Sequence, residues 1–222
     1  MQTIAAECGK YRNSTVAQAL SAFLDRPERP YLATGTALRA LGAQRDGRFF
    51  EQIVSFADDP SWWGWVRRDA HVALGLTRSR QAFELLLERV RHHQDLPQVA
   101  MMTLLGLAES TRWLDEAARD QAREAIEDAT PGQGMRFCLS AASALVTVGD
   151  ARGGAHIDAM AARLAPQWAP MLKRSAARLS KRQTGGAVNG LQKTVDELQD
   201  TVQRLMARVE TLEASRAADK PS

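Results

Sequence analysis

The sequence predicts an all-α protein, a HEAT-like solenoid of helical hairpins followed by a short C-terminal coiled-coil helix. Three observations carry this: a recurring phrase of small and aliphatic residues, amphipathic segments between the recurrences, and a valine/leucine heptad seam near the C-terminus. The phrase reads ALRALG at 37–42, AHVALG at 70–75, MMTLLG at 101–106, ALVTVG at 144–149 and SAARLS at 175–180. Its last residues are 33, 31, 43 and 31 positions apart, the period of a helical-hairpin repeat with one longer member. Small residues let antiparallel helices approach closely, Leu and Val fill the layer between hairpins, and the final glycine is expected to end each helix.

After each of the first four phrases a polar turn leads to a second amphipathic helix, expected over 47–57, 80–93, 112–128 and 153–164. Ahead of the first phrase another helix is predicted from Ser14 to Asp25, with Ser14 as N-cap and Val16, Leu20, Phe23 and Leu24 on its apolar side. It has no phrase of its own, so it reads either as a cap or as the remnant of a longer array. The expected division is an N-terminal tail at 1–13, the repeat domain at 14–182, a linker at 183–190, the coiled-coil helix at 191–213 and a disordered tail at 214–222.

Within the second repeat, DDPSWWGWVRRDAHVALG at 58–75, Asp59 is placed to cap and Pro60 suits a first helical turn. A helical wheel puts Trp62 and Trp63 with Val66, Ala70, Ala73 and Leu74 in the interior, and Trp65 with Val72 and Leu76 on an exposed flank. Arg67 is expected to reach a carboxylate or carbonyl of the adjacent repeat.

The array over 14–182 resembles the C-terminal HEAT-like region of bacterial zinc aminopeptidases of the aminopeptidase N family. The carrying residues are RPYLATGTALRALG, SWWGWVRRDAHVALGLTRSRQAFELLLERV and MRFCLSAASALVTVGD. The catalytic domain of that family holds zinc through HExxH, two histidines one helical turn apart with a glutamate as general base. The four histidines here, His71, His92, His93 and His156, form no such pair. The resemblance therefore implies a C-terminal piece or a free-standing relative with no zinc site, and the chain alone is expected to be non-catalytic, with no cofactor.

Other constellations have plain readings. His92 and His93, with Arg89 and Arg91, make a basic last turn that complements a helix C-terminus, and adjacent histidines diverge by about 100° on a helix. His71 reads as a packed histidine and His156 as a lone one. Cys8 and Cys138 belong to no metal or redox spacing and read as free thiols. No secretory h-region or apolar run of membrane-spanning length occurs, so a cytoplasmic location is expected.

The formal net charge of +3 does not by itself point to nucleic acid. Its most basic stretch, from Ala159 to Val195, has no acid and carries Arg163, Lys173, Arg174, Arg178, Lys181, Arg182 and Lys193, read as a solvated face in preference to a phosphate track. Candidate partner-binding residues are Trp65, Arg67, Arg174 and Arg178.

Leu191, Val195, Leu198, Val202, Leu205, Val209 and Leu212 alternate at steps of four and three. Valine at every a position with leucine at d favours a parallel two-stranded coiled coil, and in that register Arg208 and Glu213 are placed for an interchain ion pair. The alternative is a helix docked on the array or on an absent domain. Together these features predict a scaffold for a protein partner or an absent catalytic domain, homodimeric through its C-terminal helix. The alternative is a HEAT-like DNA-binding or glycosylase-type repair protein.

Overall fold

A computed structural model describes residues 12–92, 95–150, 152–184, 195–196, 198–203 and 205–206. Cys8, His93, most of the expected linker, and Leu191, Arg208, Val209, Leu212 and Glu213 lie outside the described residues. The chain divides into two units, Met1–Ser180 and Lys181–Ser222.

Among the described residues the protein is all-α. The helices are α1 (Ser14–Leu24), α2 (Tyr31–Gln44), α3 (Phe50–Ser55), α4 (Trp65–Leu76), α5 (Arg80–His92), α6 (Pro97–Ser110), α7 (Glu116–Asp128), α8 (Met135–Val148), α9 (Arg152–Arg163) and α10 (Ala169–Thr184). Short 3-10 turns precede α3, α4 and α7. Within the first unit these helices form two rows. One row runs α2, α4, α6, α8, each packed on the next, and contains the first four phrases. The other contains α5, α7 and α9 in succession, with α1 joined to α3 where Gln52 Nε2 donates to the Ser21 carbonyl and to Asp25. α1 packs on α2, a contact that suits either a cap or the remnant of a longer array.

The phrase glycines do not end the helices of the first three repeats, contrary to expectation. Gly42, Gly75 and Gly106 lie inside α2, α4 and α6, and the phrase helices run on for one to four residues beyond them. Their role is close approach. A Cβ on Gly42 would overlap the Ala73 carbonyl oxygen, one on Gly75 the Gly106 carbonyl oxygen, and one on Gly106 the His71 carbonyl oxygen. Backbone therefore meets backbone along the row, and of the phrase glycines only Gly149 serves as a left-handed C-cap, with φ of 80°. The core between the rows is built from Leu38, Leu41, Leu74, Phe83, Leu86, Leu107, Ile126, Leu145 and Ile157, all essentially without solvent contact.

Capping differs between the rows. Asn13, not Ser14, caps α1, its Oδ1 accepting from the Thr15 and Val16 amides. Asp46 accepts from the Arg48 amide of the 3-10 turn ahead of α3, and Ser79, Asp115 and Asp150 accept from amides at the starts of α5, α7 and α9. In the phrase row only α4 has a side-chain acceptor, Ser61 Oγ, 3.0 Å from the Val66 amide; Pro30, Leu96 and Gly134 supply none to α2, α6 and α8.

Ion pairs act both within a repeat and between successive ones. Arg89 on α5 grips Asp58 through two 2.6 Å bonds and, with that hydrogen bond dominant, holds the carboxyl below its usual range. Arg123 on α7 meets Asp150 at 2.9 Å, and Arg152 on α9 meets Asp120. Just past the C-termini of α2 and α4, Arg45 and Arg78 both adopt left-handed backbone conformations and place their guanidinium groups over the ring of Trp113, which follows α6.

His71 lies at the α4–α6 contact, fully buried, with Nδ1 2.7 Å from Thr103 Oγ1. Burial pushes its pKa down to about 4, against an opposing pull from Asp95. In the unfolded chain the ring titrates near 6.5, so between pH 6.5 and 4 the unfolded state binds more protons and acid favours unfolding. Chemical denaturation should therefore show about 2 kcal/mol less stability from this residue at pH 5 than at pH 7.5, and His71→Gln should flatten that interval. A wild-type slope retained in the variant would assign the acid sensitivity elsewhere.

Gly75→Val should cost about 3 kcal/mol or more, because the new side chain has backbone and not a movable side chain in its way. Gly47→Ala, where nothing stands within 4 Å of the added atom, should stay within about 0.5 kcal/mol of wild type by thermal melting.

Candidate groove at the N-terminal edge

Trp62 and Trp63 are 66% and 59% exposed, which overturns their assignment to the interior. The wheel failed because it assumed a continuous helix from Pro60. Asp59 instead accepts from the Ser61 amide in a tight turn, residues 62–64 form a 3-10 turn, and the α-helix starts only at Trp65. Trp63 and Gly64 have φ of 55° and 62°, two successive left-handed residues that break the helical register and swing both indoles outward. A Cβ at Gly64 would come within 2.6 Å of Val99 Cγ2, so both conformation and space require glycine there.

The break is held from the next repeat. Gln98 Nε2 donates to the Trp63 carbonyl at 2.9 Å, and the Trp62 and Trp63 rings pack edge to face with centroids 5.5 Å apart. A non-glycine residue kept in the left-handed region by a tertiary hydrogen bond carries a conformational cost that local packing does not return, a pattern concentrated at functional positions.

Beside this lip runs an open groove of about 640 Å³. Its walls come from the starts of three neighbouring phrase-row helices: Trp63, Trp65 and Arg68 from α4 and its turn, Pro97, Gln98 and Met101 from α6, and the segment from Gln133 to Phe137 at α8. The lining is mostly apolar, and its charged members are two arginines with no acid. Trp65 is half-buried, with the Arg68 guanidinium 3.9 Å over its ring. Arg68 Nε also lies 3.3 Å from the buried Asp69, whose other neighbour is Arg39 at 3.9 Å. Asp69 owes its place to Gly35, where a Cβ would overlap its carboxylate. Arg136 is exposed on the first turn of α8.

Of the residues expected to bind a partner, only Trp65 lines the groove. Arg67 pairs with Asp95 at 2.6 Å, just ahead of α6, which matches its expected reach into the adjacent repeat but turns it away from the groove. Arg174 and Arg178 are exposed on α10, apart from the groove lining. Trp63, Met101 and Arg136 were not selected from sequence. The adjacent Trp-Trp-Gly-Trp was the available signal, since a glycine within an aromatic run marks a possible break in the helix.

Among the described residues the histidines have separate surroundings: His92 Nδ1 bonds the Glu88 carbonyl at 2.9 Å and His156 Nε2 meets Thr130 Oγ1 at 2.6 Å. Burial lowers the His156 pKa and raises that of the Cys138 thiol. Among the described residues no three acidic, histidine or cysteine side chains converge as a metal site, and no helix is long and apolar enough to cross a membrane. No protein-family model matches this chain, and no curated protein sequence matches it significantly.

Replacing Trp62 and Trp63 together by alanine should change stability by less than about 0.5 kcal/mol each, since little buried area is lost. It should also remove the tryptophan emission most accessible to acrylamide. A large stability loss would show that the indoles pack against something in solution.

Proposed function

We propose that this chain is a non-catalytic scaffold, a HEAT-type helical solenoid that binds another protein through the groove at the N-terminal edge of its phrase row. The observation that carries the reading is the Trp62–Trp63 lip: two large indoles held in solvent beside an apolar trough, at a backbone cost. Rigid aromatic anchors of this kind dominate protein interfaces, and methionines such as Met101 and Met135 let a groove adapt to its ligand. The resemblance to the aminopeptidase C-terminal region supports the same class, with an absent catalytic domain as one such partner.

A DNA-binding reading draws on the same exposed tryptophans. Against it stands α6, PQVAMMTLLGLAES, which supplies no lysine or arginine in the middle of the row, so no continuous cationic track crosses it.

The second part of the proposal is self-association. In the C-terminal unit Val195, Leu198, Val202, Leu205 and Met206 are all exposed on helical backbone. Parallel pairing with a second copy buries the valine and leucine seam in the geometry that β-branched a positions favour. Analytical ultracentrifugation of the full chain should give a dimer. Val202→Asp, which sets like charges at one layer of the seam, should give a folded monomer. A wild-type monomer at high micromolar concentration would reject the pairing.

A further inference from the structure

We infer that the groove takes an acidic, extended segment of a partner protein, with a large apolar side chain between two carboxylates. The inference rests on the protein-interaction reading above and specifies the ligand for that site. Charge complementarity is the first argument. Arg68 and Arg136 stand at opposite walls, on α4 and α8, and no acid lines the space between them. The acid nearest Arg68, Asp69, is buried between it and Arg39, so two arginines share one carboxylate and leave a net positive charge at that wall. The nearby Asp95 is already paired with Arg67 at 2.6 Å. At the other wall Gly134 caps α8 without a side chain, adding the positive end of a helix to the Arg136 charge.

The second argument is the sequence of surfaces across the groove. Between the two cationic walls lie Pro97 and Met101 of α6, with Trp63 and Phe137 beside them. A ligand crossing here meets positive charge, then an apolar floor, then positive charge. A phosphodiester strand carries charge at every step and would run over the uncharged floor without a counter-charge. A peptide can place its charges at the two ends of the crossing only.

Geometry sets the spacing. Neighbouring helix axes in a packed row stand 8–10 Å apart, so α4 and α8 are separated by roughly 16–20 Å. An extended chain covers about 3.4 Å per residue, which puts the two acids about five to six residues apart, with the apolar anchor near the middle.

The test uses the full-length chain and fluorescein-labelled synthetic peptides read by anisotropy. One set carries Asp or Glu at both ends of a six- or seven-residue frame around Leu, Phe or Trp; a matched set carries Asn or Gln instead; oligothymidylate is the third probe. The acidic set should bind about tenfold or more tighter than the amide set. Arg136→Gln should remove most of that preference, Trp63→Ala should weaken both peptide sets, and Arg174→Gln should do neither. Circular dichroism confirms that each variant is folded. Equal binding of acidic and amide peptides overturns the acidic assignment and leaves the interaction reading standing. Failure of every peptide, with oligothymidylate bound in a Trp63-dependent way, overturns both. Failure of all three probes overturns the inference.

Discussion

Three contacts between main chains, Gly42 on Ala73, Gly75 on Gly106 and Gly106 on His71, set how near the helices of the phrase row lie. Once α2, α4 and α6 are that close, side chains at the contact must be small or must lie flat, and Ala73 lies directly against Gly42. Large residues such as Leu38, Leu41, Leu74, Phe83 and Leu86 are fully buried in the core. Two polar groups, Asp69 and His71, enter the tight contact, and each has a local arrangement that admits it: Gly35 beside the carboxylate, Thr103 beside the imidazole.

The same closeness builds the groove. Helices packed in one direction bring their first turns to one edge, so residues 30 or more positions apart in sequence become neighbours there. Trp65, Met101 and Phe137 meet in this way, each from its own repeat. Phrase-row helices α6 and α8 begin without side-chain caps, whereas the other row closes its starts with Asn13, Asp46, Ser79, Asp115 and Asp150. One row seals its ends locally, and the other leaves an edge at which aromatic and cationic groups are the exposed chemistry.

The all-helical character of the described residues, and the burial of Leu38, Leu74 and Leu145 within the recurring phrases, were legible because burial follows periodicity. The meaning of the glycines was not. A glycine near the end of an apolar phrase has the same sequence appearance whether it caps a helix, as Gly149 does, or admits a neighbouring backbone, as Gly75 does. The indoles failed for a related reason. A wheel assigns faces only where helical geometry holds, and the two left-handed residues at Trp63 and Gly64 end that geometry one residue before Trp65. Arg67 was readable because its target lies in the loop ahead of the next phrase helix, one repeat away. Arg136 carries no local signal, since its place in the groove depends on which helix ends lie side by side.

Trp113 changes what kind of array this is. In a linear stack each unit touches only the units beside it, so order can be lost from one end a repeat at a time. Here the ring at the end of α6 sits under both Arg78, which follows α4, and Arg45, which follows α2. A contact that skips a repeat adds second-neighbour coupling along the stack. Loss of the segment after α2 would take one of the two guanidinium groups from the Trp113 ring, a coupling of about 1 kcal/mol that reaches past the adjacent phrase helix.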